Sequence, residues 1–373
     1  MMISHSIDFV TKKVFVTLVS IILFTAVDCK DEPPVKNDYH TNDTTSHAFT
    51  WQTFTWGGGG GSSINDVAIL SDTNIWAVGN IQLPDSVAMD SAGHNFPYGI
   101  AHWDGKNWTL QRIFYHDYGT TEMFAGGLTS ILAFASNDIY VCSYANLLHW
   151  DGNSWTEKAF FITDVSPVPF NGQVQKMWGS DGNHIYCVGK SGAIYFYNGS
   201  SWQKLESGTT LDLHDIYGAT DSKTGEQQIL AVGSSNIPFD RVILRIQGSS
   251  VTKLSSAPIE YELISVWFSP NQHYYVVGDG VFEKKSLSEN SWKNSPLDIT
   301  TFGMSVVRGN NLNDVFCVGS FLEIIHYNGS TWYNYSKEIP HDDGALGALD
   351  IKGNIVAVAG QLGQDAIVMM GKR

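Results

Sequence analysis

Apolar residues along this chain fall in short runs of 5 to 7, rich in Val, Ile, Tyr and Trp, and each run is bounded by Asn, Asp or Gly. That pattern predicts short strands joined by tight turns. No segment has a helical period with caps at its ends. The runs also recur as a larger unit: an apolar strand, a second ending in Val-Gly, a third ending in Asp-Gly or Asn-Gly, and a fourth opening with Trp. The clearest copies are NIWAVG with HWDGKNW (Asn74 to Gly79, His102 to Trp108) and NDIYVCS with HWDGNSW (Asn137 to Ser143, His149 to Trp155). HIYCVG with YNGSSW (His184 to Gly189, Tyr197 to Trp202) and DVFCVG with HYNGSTW (Asp314 to Gly319, His326 to Trp332) follow the same plan. Looser copies are ILAVG with RIQGSSV (Ile229 to Gly233, Arg245 to Val251) and YYVVG with SENSW (Tyr274 to Gly278, Ser288 to Trp292).

Aligning Trp108, Trp155, Trp202, Val251, Trp292 and Trp332 gives spacings of 47, 47, 49, 41 and 40 residues. Four short strands in such a period are one β-propeller blade. The C-terminus adds three strands of a further unit, Leu346 to Ile351, Asn354 to Gly360 and Asp365 to Met370, with no Trp-led fourth. An isolated strand, Ala48 to Trp56, stands at the other end. Placing it as the outer strand of the last unit closes the ring and removes the open edges. The expected fold is therefore all-β, a seven-bladed propeller over residues 48–373 closed by an N-terminal strand. The alternative is six blades with the terminal segments packed otherwise.

The recurring residues have local explanations. Asp-Gly and Asn-Gly are expected to make the turn between the third and fourth strands, because both residues take positive φ cheaply. The Trp that follows is expected to wedge between blades, and Val-Gly to permit close backbone approach where blades crowd the axis. The repeat resembles bacterial propeller repeats of the broad WD40, YVTN and kelch-like kind. It does not match the Asp-box of sialidase-type propellers, because here Asp or Asn touches Gly directly (Asp104-Gly105, Asp151-Gly152, Asn198-Gly199, Asn328-Gly329).

Composition agrees with a globular chain: 43% hydrophobic, 13% aromatic and 16% charged residues are too apolar for disorder. A net charge of −15 argues against nucleic acid or an anionic membrane surface as the main partner. Lys12 and Lys13 precede a 14-residue apolar run, Val14 to Val27, too short to span a bilayer and suited to a secretory signal. Cys29 directly after it resembles the lipidation site of bacterial lipoproteins, with Asp28 where a small residue is usual; Lys30-Asp31-Glu32 looks like a surface-export signal. The resemblance implies a signal peptide over 1–28, a lipidated Cys29, and an outer-membrane lipoprotein at the cell surface, held to the membrane through its lipid anchor alone. An ordinary secreted protein is the alternative. Residues 30–47, KDEPPVKNDYHTNDTTSH, read with Cys29 as a flexible tether (29–47).

Little in the sequence signals catalysis. Cys142, Cys187 and Cys317 are expected at the same part of the second strand in three blades, held apart by the blade spacing and buried as small core residues. His102, His149 and His326 occupy equivalent third-strand positions in different blades, too far apart to share a metal ion. The chain has no Gly-rich phosphate loop followed by Lys, no HExxH and no Gly-x-Ser-x-Gly. Gly57 to Gly61 reads as a link from the closing strand to the first blade. No cofactor or metal is expected.

Variation lies in the connections that share one face of a propeller. They are the second-to-third loop of blade 1 (Ile81 to Tyr98, with Asp85, Asp90 and His94), the links Phe114 to Gly127 and Phe161 to Gln173, and the link holding His341, Asp342 and Asp343. Their aromatic and acidic residues suggest a ligand site formed by Phe96, Tyr98, Tyr115, His116, Asp117, Tyr118 and Phe170. The expected function is a non-catalytic binding or interaction module for a glycan, a peptide or an envelope protein. The alternatives are a glycan-active enzyme, glycosidase or glucosyltransferase-like, using carboxylates such as Asp85, Asp117 and Asp343, and an envelope assembly scaffold.

Overall fold

The structure is a computed structural model that describes residues 43–58, 60–84, 96–116, 123–143, 146–158, 174–295 and 299–373. The described chain forms seven four-stranded antiparallel sheets, with no α-helix among the described residues and two single 3-10 turns, Lys190–Gly192 and Tyr335–Lys337. It is a seven-bladed β-propeller. The innermost strands are Ser63–Ser71, Ser130–Ala135, Val174–Asp181, Leu213–Thr220, Leu263–Ser269, Met304–Asn311 and Gly344–Lys352, for blades 1 to 7 in that order. Blade 7 is completed by Thr50–Trp56, which pairs antiparallel with Asp365–Lys372 from Thr50 against Lys372 to Trp56 against Ala366. The expected closure is thus observed, with the closing strand two residues shorter at its start. Two local differences appear elsewhere. Trp292 precedes the fourth strand of blade 5 instead of opening it, and the link after blade 1 contains its own hairpin, Phe114–His116 with Met123–Ala125.

The hydrophobic core is divided into slabs, one between each pair of adjacent blades. Each sheet therefore buries both faces, so its strands read as near-continuous apolar runs such as Ile75 to Val78. The Trp residues that open fourth strands do fill these slabs: Trp108 packs edge-on against Phe54 and Trp56 of blade 7, and Trp155 against Trp76 of blade 1. In the turns before them only Gly is left-handed, at φ 94° for Gly105 and Gly152 and 95° for Gly329. The Asp or Asn contributes its side chain instead: Asp104 Oδ1 accepts the N–H groups of Lys106 and Asn107 at 2.8 and 2.7 Å.

The Val-Gly signature has a different cause from crowding at the axis. Six inner strands carry a β-bulge near their start, as between Ile64 and Asp66 or Leu213 and Asp215. There the inner strand's carbonyl presses on its neighbour, so a Cβ on Gly79 would lie 2.1 Å from Ser63 O and one on Gly319 2.1 Å from Gly303 O. Only glycine fits opposite the bulge.

Inner strands are also sheet edges, with N–H groups facing the axis and no fifth strand to receive them. Side chains of the neighbouring blade supply the acceptors. Asp66 Oδ2 accepts from Ser130 Oγ and from the Ile131 N–H of blade 2, both at 2.9 Å. Ser130 Oγ accepts from Met177 N of blade 3 at 3.1 Å. Asp215 Oδ2 accepts from Val266 N at 3.1 Å, Ser265 Oγ accepts from Val307 N at 3.2 Å, and Asp350 Oδ2 accepts from Ile69 N at 2.7 Å. These clasps join blades 1 to 2, 2 to 3, 4 to 5, 5 to 6 and 7 to 1. Lys176 and Arg308 neutralise the acids, Lys176 Nζ at 2.5 Å from Asp66 and Arg308 fork-fashion at 2.8 and 2.9 Å from Asp215. Burial raises the Asp215 pKa, and the Arg308 charge and hydrogen bonds outweigh it and hold the group below the ordinary carboxylate range.

The cysteines and histidines settle into the slabs. Cys142, Cys187 and Cys317 are buried free thiols. Cys142 sits one residue out of phase with the other two, opposite Ser130, whereas Cys187 faces Met177 and Cys317 faces Val307. The one-residue offset puts its side chain on the opposite sheet face. Cys142 and Cys187 therefore meet across the seam of blades 2 and 3 as thiol neighbours, a correction to the expected separation. His102, His149 and His326 each stack on the aromatic ring beside them (Trp76, Tyr140, Phe316) and bond Asn74, Asp138 and Asp314 respectively.

His326 also ties down the residues before the closing strand. Its Nδ1 lies 2.8 Å from His47 Nδ1, and Asp314 receives His326 Nε2 at 3.0 Å and Arg373 Nη1 and Nη2 at 2.9 and 2.6 Å. With Asp314 ionised and His326 neutral, His326 Nε2–H donates to Asp314 and His47 Nδ1–H donates to His326 Nδ1, while His47 Nε2 lies 3.2 Å from Thr331 Oγ. A proton added to His326 Nδ1 breaks the bond to His47. Residues at the end of the expected tether are thus already docked, and Thr45 N adds a bond to Asn328 O at 3.1 Å.

Two outcomes are expected. Asp215→Ala leaves Arg308, whose side chain is 11% exposed, without its counter-charge and should cost about 3–5 kcal/mol in denaturant unfolding at pH 7, while Asp215→Ala with Arg308→Met recovers most of it. A single-variant loss below about 1 kcal/mol would contradict the clasp. Burial, with the charge of His326 second, lowers the His47 pKa from 6.5 to about 4. The unfolded chain then binds the proton first, so this group's stabilisation is complete above pH 6.5 and is lost as pH falls toward about 4. Thermal unfolding between pH 7 and pH 4 should fall less steeply for His47→Asn than for the parent chain.

Candidate binding face

Because every blade runs outward as an antiparallel meander, the turns between first and second and between third and fourth strands lie at one end of the disc. The second-to-third loops and the links between blades lie at the other. The first end carries the polar tight turns Asp104–Asn107, Asp151–Ser154, Asn198–Ser201 and Asn328–Thr331, and it receives residues 43–47 through Asn313 Nδ2 to Asp43 O at 2.7 Å. The second end carries the longer connections.

The large apolar side chains exposed among the described residues are Phe114, Met123, Phe124, Ile237, Phe239, Tyr261 and Phe321, at 39% to 91% exposure. All of them lie on this loop-bearing end. Phe114, Met123 and Phe124 are in the hairpin after blade 1. Ile237 and Phe239 flank the tip of the blade 4 hairpin, whose strands Gln227–Asn236 and Phe239–Gln247 outreach their counterparts in other blades. Tyr261 is in the link to blade 5 and Phe321 in the second-to-third loop of blade 6. Exposed large apolar side chains gathered, among the described residues, on one end of the ring point to that end as an interaction surface.

Of the residues expected to form the site, four are described. Phe96 meets Phe114 edge-to-face at 5.3 Å and its carbonyl accepts Arg112 Nε at 2.7 Å, while the Arg112 guanidinium covers the Tyr98 ring at 3.7 Å. His116 is exposed and pairs with Glu157 at 3.0 Å. Tyr115 is not a rim residue. It is 7% exposed, its hydroxyl donates to Gly126 O at 2.8 Å and accepts from Ser143 Oγ at 2.6 Å, and it belongs to the slab between blades 1 and 2. The strand alternation of the hairpin explains this: Tyr115 points inward and its neighbours Phe114 and His116 outward. Asp117, Tyr118 and Phe170 lie outside the described residues, as do Cys29, Asp85, Asp90, His94, Phe161 and Asp164. Ile237, Phe239, Tyr261 and Phe321 went unnoticed in the sequence, although an Ile-Pro-Phe turn between two strands is an apolar anomaly that could have drawn attention.

The same end opens into a central cavity of about 520 Å³. The bulged residues Asn65, Gln175, His214, Ile264, Ser305 and Gly347, with Thr129 of blade 2, line it. In five blades the bulge thus turns a side chain toward the axis, and in blade 7 it places Gly347 there. Below them sit the clasp acids. Burial raises the Asp350 pKa from 3.8 to about 6, against the pull of the Ile69 and Ile351 N–H groups. Asp66 and Asp215 have their oxygens occupied by backbone N–H, hydroxyl and cationic partners, so the axial carboxylates serve the ring itself. Among the described residues no group of three or more His, Cys, Asp or Glu is placed to hold a metal ion. Asp343, in the link before blade 7, is exposed.

No family profile matches the chain, and no curated protein matches it. Solved propellers do. A structure of YCF48 bound to D1 peptide superposes with a TM-score of 0.59 at 16% identity, covering 89% of this chain and 100% of that one. The WD40 β-propeller domain of Doa1 gives 0.59 at 12% identity, with 87% and 97% coverage. A catalytically inactive virginiamycin B lyase from Staphylococcus aureus with quinupristin gives 0.51 at 10% identity, with 86% and 99% coverage. At these identities the likeness is one of fold, and the fold serves both binding and catalysis.

Proposed function

We propose that this protein is a non-catalytic interaction module that receives a peptide or a segment of an envelope protein on the loop-bearing face. The observation that carries the reading is the confinement of the exposed large apolar side chains to that face, opposite a face of polar turns. Phe, Met and Ile offer contact area and no hydrogen bond for a sugar hydroxyl, which favours a peptide or protein over a glycan. Phe96, Tyr98 and His116 border the blade 1 sector of this surface, and Asp117, Tyr118 and Phe170 belong to the same links in the sequence. A propeller of the same fold has been captured with a peptide, which makes the reading consistent with what the scaffold does elsewhere.

We further propose that the chain is exported and anchored through a lipidated Cys29 at the outer membrane. In that arrangement the tether joins the propeller from the polar-turn side, where Asp43 is held, and the apolar face is left free for its partner.

The full chain is expected to bind a subset of a random 15-residue peptide array and to leave a glycan array blank. The combined variant Phe124→Ser, Ile237→Ser and Phe239→Ser should lose most of the peptide signal with its thermal stability within a few degrees of the parent. Peptide binding indifferent to this variant, or signal on glycans alone, would overturn the docking face. Metabolic labelling with an alkyne fatty acid in a Gram-negative host should mark the parent chain and not Cys29→Ala; equal labelling of both would refute the anchor.

A further inference from the structure

On the loop-bearing face, blade 5 and the link to blade 6 enclose a second cavity of about 270 Å³, whose walls include Asp279, Asn294, Thr301 and Phe302. That volume is below the roughly 300–1,000 Å³ of small-molecule sites and suits a single side chain. Among the described residues its lining contains one charged group, the exposed carboxylate of Asp279, and this carboxylate has no hydrogen bond or ion pair with any of them. The neighbouring acid behaves differently. Glu323 is buried, and its two oxygens accept the N–H groups of Thr301 and Phe302 at 2.9 and 3.0 Å and Asn334 Nδ2 at 2.8 Å. One carboxylate therefore fixes the wall and the other is presented to whatever enters.

An aromatic surface adjoins the opening. The Phe302 ring lies 4.4 Å from Phe321 and 5.0 Å from His341. Phe321 is held outward at a cost: it and Leu322 both have left-handed backbones, φ 58° and 61°, which bulky residues seldom adopt. Leu322 is buried in the slab between blades 6 and 7, and Phe321 N donates to Gly344 O at 2.7 Å, so the loop is anchored with the Phe321 ring 45% exposed. Asp342 and Asp343 follow His341 and add negative charge, and Asp342 N meets Phe321 O at 3.4 Å. The cations lining the central cavity are already paired, Lys176 with Asp66, Lys190 with Asp212 and Arg308 with Asp215.

A free carboxylate beside exposed aromatic faces, without a cation in the lining, is complementary to a positive group that also presents hydrocarbon. We propose that this pocket receives a Lys or Arg side chain of the docked partner, so that the face selects peptides pairing a basic residue with apolar ones. The proposal rests on the docking reading above and specifies its partner. The cation would pair with Asp279 while its methylene stem lies against Phe302 and Phe321.

The test is to pan a phage-displayed random 12-residue peptide library on the immobilised full chain, then measure recovered peptides by fluorescence polarisation on the parent, Asp279→Asn and Phe321→Ser. Recovered sequences should be enriched in Lys or Arg next to apolar residues. Asp279→Asn should weaken them at least tenfold, and replacing the peptide's basic residue with Gln should do the same on the parent yet add little on Asp279→Asn. Phe321→Ser should weaken them, with its thermal stability as the folding control. Neutral or acidic consensus peptides, or affinity unchanged by Asp279→Asn, would overturn the basic-residue pocket and leave the docking face standing. Recovery of no peptide at all would overturn both.

Discussion

The ring depends on how seven sheet edges meet at an axis without a strand to pair with. Inner-edge N–H groups in a low-dielectric interior would each be left with an unmet hydrogen bond. Short acceptors on the preceding blade meet that need: Asp66 for Ile131, Ser130 for Met177, Asp215 for Val266, Ser265 for Val307 and Asp350 for Ile69. Because each acceptor sits on one blade and each donor on the next, satisfying the edge also sets the rotation between blades. Lys176 and Arg308 then balance charges that the interior would not tolerate alone. Among the described residues, blades 3 to 4 and 6 to 7 have no axial clasp of this kind and are joined by their apolar slabs with polar links further out, Lys190 to Asp212 and Arg373 to Asp314.

One backbone irregularity links that architecture to the candidate site. The bulge at the start of the inner strands requires glycine on the adjacent strand, which is why Val-Gly recurs. It also turns Asn65, Gln175, His214 and their equivalents into the mouth of the axial cavity. A motif kept for folding thus brings the polar residues Asn65, Gln175, His214 and Ser305 from four blades to one opening. Around that opening the two ends of the disc differ in chemistry, since tight Asx turns leave no room for variation while the links do. Exposed apolar groups collect where the links are, and acidic ones accompany them at the corner of Asp279, Asp342 and Asp343.

Closure joins the two chain ends through more than a strand pair. The Thr50–Trp56 ladder is extended by the hydrogen-bonded run His47, His326, Asp314 and Arg373. The segment that precedes the propeller is therefore coupled to its C-terminal residue and to blade 6 in one hydrogen-bonded unit. Aromatic packing of His47 on Tyr333 and of Phe49 on Phe316 and Tyr335 supports the same junction.

The blade count, the turn chemistry and the closing strand were legible in the sequence because each is a local or periodic property. Asp-Gly before Trp at a spacing of 40 to 49 residues states a blade whatever surrounds it. The face that carries the long connections followed from topology alone. Side-chain direction in those connections was not legible, because irregular segments have no period from which to infer it. Tyr115 therefore looked like a rim aromatic and is a core residue, whereas Ile237, Phe239, Tyr261 and Phe321 are displayed. The pairing of Cys142 with Cys187 turned on a one-residue register difference that their shared strand position concealed. The clasps, the bonding of His47 to His326 across 279 positions, and the division of labour between Glu323 and Asp279 were decided by tertiary structure. Each depends on which blade lies beside which side chain, a relation set when the ring closes.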